Sequence, residues 1–164
     1  AQKQGAALVR VPIDQLILEQ VTPREIAAQA VDFLKAGKDV LLASASSVDR
    51  KTGLANADRA ASEKGMALEQ VSFYTQDRMG QIARLVLEQF RPSGVFLTGG
   101  DTAISFMRAL EASGSMIQTE ILVGIPMMRL RGGPWDGLKI ITKAGAFGRE
   151  DAIDFALRKL KEVD

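Results

Sequence analysis

The sequence predicts a layered α/β fold: a mixed, largely parallel β-sheet flanked by helices, in a single domain spanning residues 1–164. Three observations lead there. Short apolar, β-branched runs alternate along the chain with longer segments of helical period. One of these runs, Val95-Phe96-Leu97, passes through Thr98-Gly99-Gly100-Asp101-Thr102 directly into the helical pattern Ala103 to Leu110. Finally, 164 residues at 46% hydrophobic content suffice for one real core, and that length gives no reason for two domains.

The elements follow in order. Ala1 to Gly5 resembles the last turn of a helix with a glycine stop, so the chain is expected to begin in mid-fold, and Ala6 to Val11 is the first strand. Pro12-Ile13-Asp14 closes that strand, and Gln15 to Gln20 is a short apolar stretch. Thr22-Pro23-Arg24-Glu25 marks a helix start, with Thr22 as N-cap, Pro23 at the first helical position and Glu25 in the first turn. Ile26, Ala27, Ala30, Val31 and Leu34 share one face before Gly37 stops the helix. Asp39 to Ser44 is a continuous apolar run of the kind buried on both faces of a sheet, followed by a serine-rich loop, Ser44 to Ser47. Thr52 to Gln89 is mostly helix in two pieces, with Gly65 and Gly80 as candidate boundaries. After the glycine turn and its helix, Met116 to Val123 is strand-like and Val123-Gly124-Ile125-Pro126 ends it. Arg129 to Gly133 is a further strand or hairpin arm before the turn-rich Gly132 to Gly137. Leu138 to Thr142 is the last strand, and Asp151 to Leu160 lies on a C-terminal helix.

Composition narrows the chemistry. The 21 basic and 20 acidic side chains nearly cancel without long like-charge blocks, which points to small-molecule or protein partners, with no nucleic-acid groove or membrane patch. The absence of cysteine excludes disulfides and thiolate catalysis and fits a cytoplasmic setting. The absence of histidine excludes Ser-His machinery and the commonest zinc ligand, leaving carboxylates and lysine for acid–base work. No apolar run approaches the ~20 residues of a membrane helix, and no signal peptide opens the chain.

The Gly99-Gly100 turn is the leading candidate site. Backbone N–H groups at a helix start, with no β-carbons in the way, face one point and favour an anion, so a phosphate or nucleotide is the expected ligand. The alternative is an ordinary tight turn with Asp101 as helix cap. A carboxylate beside a phosphate repels it unless a magnesium ion lies between or the side chain turns into the cap. A second turn, Lys143-Ala144-Gly145-Ala146-Phe147-Gly148, has a similar design: Lys143 supplies a charge, Gly145 and Gly148 bracket a bend, and Phe147 packs under the turn or beside a base. The two turns converge if their strands are sheet neighbours. Weaker candidates are Ser44 to Ser47 as hydrogen-bond donors or a solvated loop, Trp135 as a partner contact or a lid over local core, and Arg129 with Arg131 as anion contacts or solvated charges; Asp49, Asp58 and Asp77 receive no role.

In their order and spacing, Gly99-Gly100-Asp101-Thr102, Gly124-Ile125-Pro126 and Thr142 to Gly148 resemble the C-terminal nucleotide-binding domain of the four-carbon acid sugar kinases. The resemblance implies an ATP- and magnesium-dependent kinase acting on a threonate- or erythronate-type acid. The nucleotide would be held by Gly99, Gly100, Asp101, Thr102, Lys143, Gly145, Phe147 and Gly148, with Asp101 reaching magnesium through water. It also implies that the sugar acid and the catalytic aspartate belong to a separate N-terminal domain, so this chain alone is expected to be inactive. A homo-oligomer is compatible with this reading. The sequence departs from the family pattern at Ala144, where serine is usual, at Ala146, where glycine or asparagine is usual, and at Val123, where proline is expected. A serine-bearing ATP-contact loop would lie upstream of the chain. Two other readings are a non-catalytic nucleotide- or phosphate-binding regulatory module and a structural or dimerisation domain with ordinary glycine turns.

Overall fold

The computed structural model describes residues 5–144 and 151–162. These fall into two compact units, one running to Phe90 and the other from Arg91, where chain length predicts one domain.

In the first unit, β1 (Ala7–Val11) is followed by α1 (Ile13–Ile17), so part of the apolar stretch after the strand is a short helix. Next come α2 (Pro23–Lys35), β2 (Val40–Ser44), α3 (Ala45–Val48), α4 (Arg50–Glu63) and α5 (Leu68–Gln89). β1 and β2 pair in parallel, with Leu8 opposite Leu41 and Val11 opposite Ser44. The start of α2 is as the sequence predicts: Thr22 and Glu25 form a reciprocal capping box behind Pro23, with the Thr22 N–H donating to Glu25 Oε2 at 2.7 Å. Ile26, Ala27, Ala30 and Val31 then enter a core with Val9, Val11, Ile17, Ala60 and Ile82.

Four local expectations change. Val40 to Ala43 are half-buried rather than covered on both faces, because the sheet holding β2 has only two strands. The expected serine loop contains the single helical turn α3, and Ser44 and Ser47 hydroxyls lie 2.8 Å apart. Gly80 is no boundary; it is buried inside α5, where packing of the long helix outweighs the ~1 kcal/mol propensity cost of glycine. Asp49 has a structural role, as the N-cap of α4 accepting from the Thr52 N–H at 3.2 Å.

The second unit contains β3 (Val95–Thr98), α6 (Gly100–Ala109), β4 (Gly114–Leu122), β5 (Ile125–Arg131), β6 (Lys139–Lys143) and α7 (Ala152–Lys161). The sheet order is β3-β6-β5-β4, with β3 and β6 parallel and the other two pairings antiparallel. The α/β class and mixed strand directions are thus as predicted, with the strands divided between two sheets. β4 and β5 form a hairpin closed by Val123-Gly124. Pro126, which has no N–H to give, sits near the start of β5, just before its pairing with β6 begins at Met127.

β6 is buried on both faces: Ile140 and Ile141 are both fully buried. Ile141 joins Ile125, Ala152, Ala156 and Leu160 in a core that includes α7. Gly94 allows the close approach here, since a Cβ at that position would lie 2.5 Å from Leu160 Cδ2 and 2.9 Å from the Lys139 carbonyl oxygen. Arg129 and Arg131, read as anion contacts or solvated charges, have partners within the chain: Arg129 Nη1 donates to the Gly137 carbonyl at 2.8 Å, and Arg131 lies 3.8 Å from the Asp136 carboxylate. Trp135 carries the Arg91 guanidinium over its ring at 5.3 Å.

Two stability outcomes follow. Gly94→Ala should destabilise the protein by about 1–3 kcal/mol through overpacking against a backbone carbonyl, measured by urea unfolding. Thr22→Ala should cost about 1 kcal/mol by loss of a helix cap. Hydrogen bonds from Thr22, backbone first and then hydroxyl, hold the Glu25 carboxyl below its ordinary range. The folded-state pKa is depressed, so this stabilisation is fully present above the ordinary carboxylate pKa and is lost as pH falls through the lowered value. Glu25→Gln should flatten that part of the acid limb of a stability–pH curve.

Candidate functional site

The glycine turn owes its position to one strand pairing. β3 and β6 run parallel with Thr98 opposite Lys143, so their carboxyl ends lie side by side at one end of the sheet. The Gly99 N–H donates to the Lys143 carbonyl at 3.0 Å, extending the ladder one step into the turn. The condition for convergence stated from sequence, neighbouring strands, is therefore met for Gly99 to Thr102 and Lys143. Gly145, Phe147 and Gly148 lie outside the described residues.

The two glycines do different things. Gly99 takes φ +94°, a conformation that disfavours any side chain, and so makes the turn possible. Gly100 has no positive φ, and a Cβ there would meet nothing within 4 Å. Neither backbone strain nor crowding demands glycine at position 100. The missing side chain leaves open space beside the first amides of α6.

Those amides are available. Gly99 is the N-cap of α6 and no side chain caps the helix. Among the described residues the N–H groups of Gly100, Asp101 and Thr102 have no hydrogen-bond acceptor, whereas the Gly99 N–H is engaged. Asp101 is therefore not the cap: it stands at the second helical position with its carboxylate exposed. Thr102 is half-buried at the third, its hydroxyl turned toward Gly99, where a Cβ would lie 3.5 Å from Oγ1. Lys143 is half-buried at the end of β6, and its Nζ donates to the Ala144 carbonyl at 3.2 Å. Three amides without an acceptor among the described residues and the positive end of a ten-residue helix suit an anion such as phosphate, with Lys143 at the end of the adjoining strand.

Two cavities lie elsewhere in this unit. One, of about 250 Å³, is lined by Arg91, Trp135 and Lys139 among others. The other, of about 310 Å³, is lined by Gln118, Met127 and Arg129 among others. Neither includes the glycine turn. Among the described residues no group of three or more acidic side chains could by itself hold a metal ion. Among them, too, no helix is long and apolar enough to cross a membrane.

A helix N-terminus at the carboxyl ends of parallel strands in an α/β layer is the arrangement that suits a phosphate group. The chain belongs to the family of nucleotide-binding C-terminal domains, whose model matches residues 1–153. It is 38% identical over 85 residues to a D-threonate kinase of Bordetella bronchiseptica, covering 52% of this chain and 21% of the relative. It is 33% identical over 98 residues to a D-erythronate kinase of Heliobacterium modesticaldum, covering 56% of this chain and 22% of the relative. A crystal structure of a domain of unknown function from Bordetella bronchiseptica, a domain-swapped dimer with bound citrate, is similar at a TM-score of 0.69 and 29% identity. That match covers 98% of this chain and 36% of the other. The aligned part is about a fifth of the length of these curated relatives. The four-carbon acid sugar kinase resemblance read from the glycine turns is thus supported by family and relatives alike.

Amide hydrogen exchange should separate the engaged donor from the open ones. The Gly99 amide is expected to be protected with or without ligand, whereas those of Gly100, Asp101 and Thr102 should exchange fast alone and slow when an anion is bound.

Proposed function

We propose that this chain is the ATP-binding part of a kinase that phosphorylates a four-carbon acid sugar of the threonate or erythronate type. The observation that carries the proposal is the parallel β3–β6 pairing, which sets an uncapped helix N-terminus and Lys143 at one sheet end in a chain of this family. The amides of Gly100, Asp101 and Thr102 hold phosphate oxygens, and the Thr102 hydroxyl adds a donor at the helix start. The Gly99 amide is engaged with the Lys143 carbonyl, so Gly99 shapes the turn and leaves donation to its successors. Lys143 offsets the charge that develops on the transferred group. Gly145, Phe147 and Gly148 follow it in sequence and complete the nucleotide turn by the family resemblance.

The donor set fits a magnesium-bound nucleotide in one respect: the exposed Asp101 carboxylate stands beside the open amides. A single carboxylate suits a magnesium ion that keeps water ligands and takes its other oxygens from phosphates. When bound, the ion neutralises phosphate charge. The acid-sugar substrate and the base that deprotonates its hydroxyl are assigned to a separate N-terminal domain. This chain alone then binds nucleotide without turnover, in the cytoplasm. The domain-swapped dimer of the similar crystal structure supports a homo-oligomer.

Calorimetric titration with Mg-ATP tests the proposal. Saturable binding is expected, abolished in a Gly100→Val variant whose side chain fills the space before the amides. In Lys143→Ala it should weaken by about 10- to 100-fold, the range for loss of a charge-assisted contact. Both variants should keep the wild-type circular dichroism spectrum. No heat at millimolar Mg-ATP from the folded protein would overturn it.

A further inference from the structure

A third connection reaches the same sheet end as the glycine turn. β5 pairs with β6 with Met127 opposite Ile141, and carrying that register two residues further brings Ile125 level with Lys143. The Val123-Gly124 turn between β4 and β5 therefore projects from the sheet end that holds Gly99, Gly100 and Lys143. Two to three strand spacings separate it from β3, roughly 10–14 Å. An extended nucleoside triphosphate covers a span of that order between its terminal phosphate and its base.

The turn is built to stay in place and to present an apolar side chain. Gly124 takes φ +74°, and its N–H donates to Glu120 Oε1 at 2.7 Å, which ties the turn to β4. Val123 is 86% exposed, the largest exposure among the large apolar side chains of the described residues. Valine is not a turn former, so local turn chemistry does not account for it. Charge sets the polarity along the edge. Lys143 and the open amides favour phosphate at the β3–β6 side, whereas the Glu120 carboxylate disfavours it at the hairpin side.

We infer that Val123 on the β4–β5 turn forms the wall against which the nucleotide base packs, so that the ligand lies along the strand ends from phosphates at Gly100 and Lys143 to base at Val123. This rests on the nucleotide reading above and adds the orientation of the ligand and the residue that contacts its base. An apolar side chain contributes contact area to a base without reading its hydrogen-bonding edge, so it supports binding of the base as a flat apolar surface.

The test separates base from phosphate by titrating the protein with Mg-ATP and with magnesium tripolyphosphate, which has the phosphates and no base. Val123→Asn, with a polar residue suited to turns, should weaken Mg-ATP about tenfold, since burying part of a valine side chain is worth of that order. It should leave tripolyphosphate within about twofold of wild type. Val123→Ile should keep Mg-ATP affinity, and Gly100→Val should lose both ligands. If the wild-type protein binds both ligands and Val123→Asn weakens both alike, or neither, the base wall is wrong and the phosphate site stands. If wild type binds neither, the nucleotide reading itself fails and the base wall falls with it.

Discussion

The second unit depends on the parallel pairing of β3 with β6. This ladder joins the edge strand β3 to the sheet and puts Thr98 beside Lys143, and its last step is the bond from the Gly99 N–H to the Lys143 carbonyl. A one-residue slip would exchange the faces of every β6 side chain. Ile140 and Ile141, both fully buried, would have to trade surroundings, and Ile141 would leave the core it shares with α7. The register is therefore specified by packing on both sides of the strand. The close fit at Gly94, against Leu160 and the Lys139 carbonyl, leaves little room to shift at the other end of the ladder. The position of the candidate site is a by-product of that core.

Helix capping shows where the chain forgoes local stability. α2 begins with a complete capping box and α4 with the Asp49 carboxylate on the Thr52 amide. Hydrogen bonds from Thr52, side chain first and then backbone, hold Asp49 below the ordinary carboxylate range. α6 has neither device: its N-cap is a glycine, and its first amides have no acceptor among the described residues. A side-chain cap is worth about 1 kcal/mol, and α1, α5 and α7 also start without one, so what distinguishes α6 is its place at the carboxyl ends of the parallel strands β3 and β6. The same helix end that would be a weakness in a purely structural domain is a ready-made anion acceptor.

Much of the fold was legible in the sequence because its signals are local. Thr22, Pro23 and Glu25 specify a helix start through atoms three residues apart, and the structure has it there. Val95 to Leu110 reads as strand, glycine turn and helix because each residue's own backbone preference agrees with its neighbours. The misreadings arose where distant packing decides. Gly80 lies inside α5 despite its poor propensity, and β2 is half-buried because its sheet has one other strand, which no local pattern reveals. Asp101 has a residue type that suits a cap, yet the positive φ of Gly99 starts the helix two residues earlier and leaves Asp101 inside the first turn.

By itself, then, the sequence determined the α/β class, the glycine turn as the candidate site, and the exclusion of thiolate and histidine chemistry. These follow from residue identity and short-range periodicity. Only the tertiary structure decided that β3 and β6 are neighbours, that the Gly99 amide is engaged while the next three have no acceptor among the described residues, and that the Val123 turn shares the same sheet end. The physical reason is that strand order and register are settled by which apolar faces meet across the sheet. That matching joins residues more than forty positions apart, such as Thr98 and Lys143, and leaves no trace in the spacing of either segment alone.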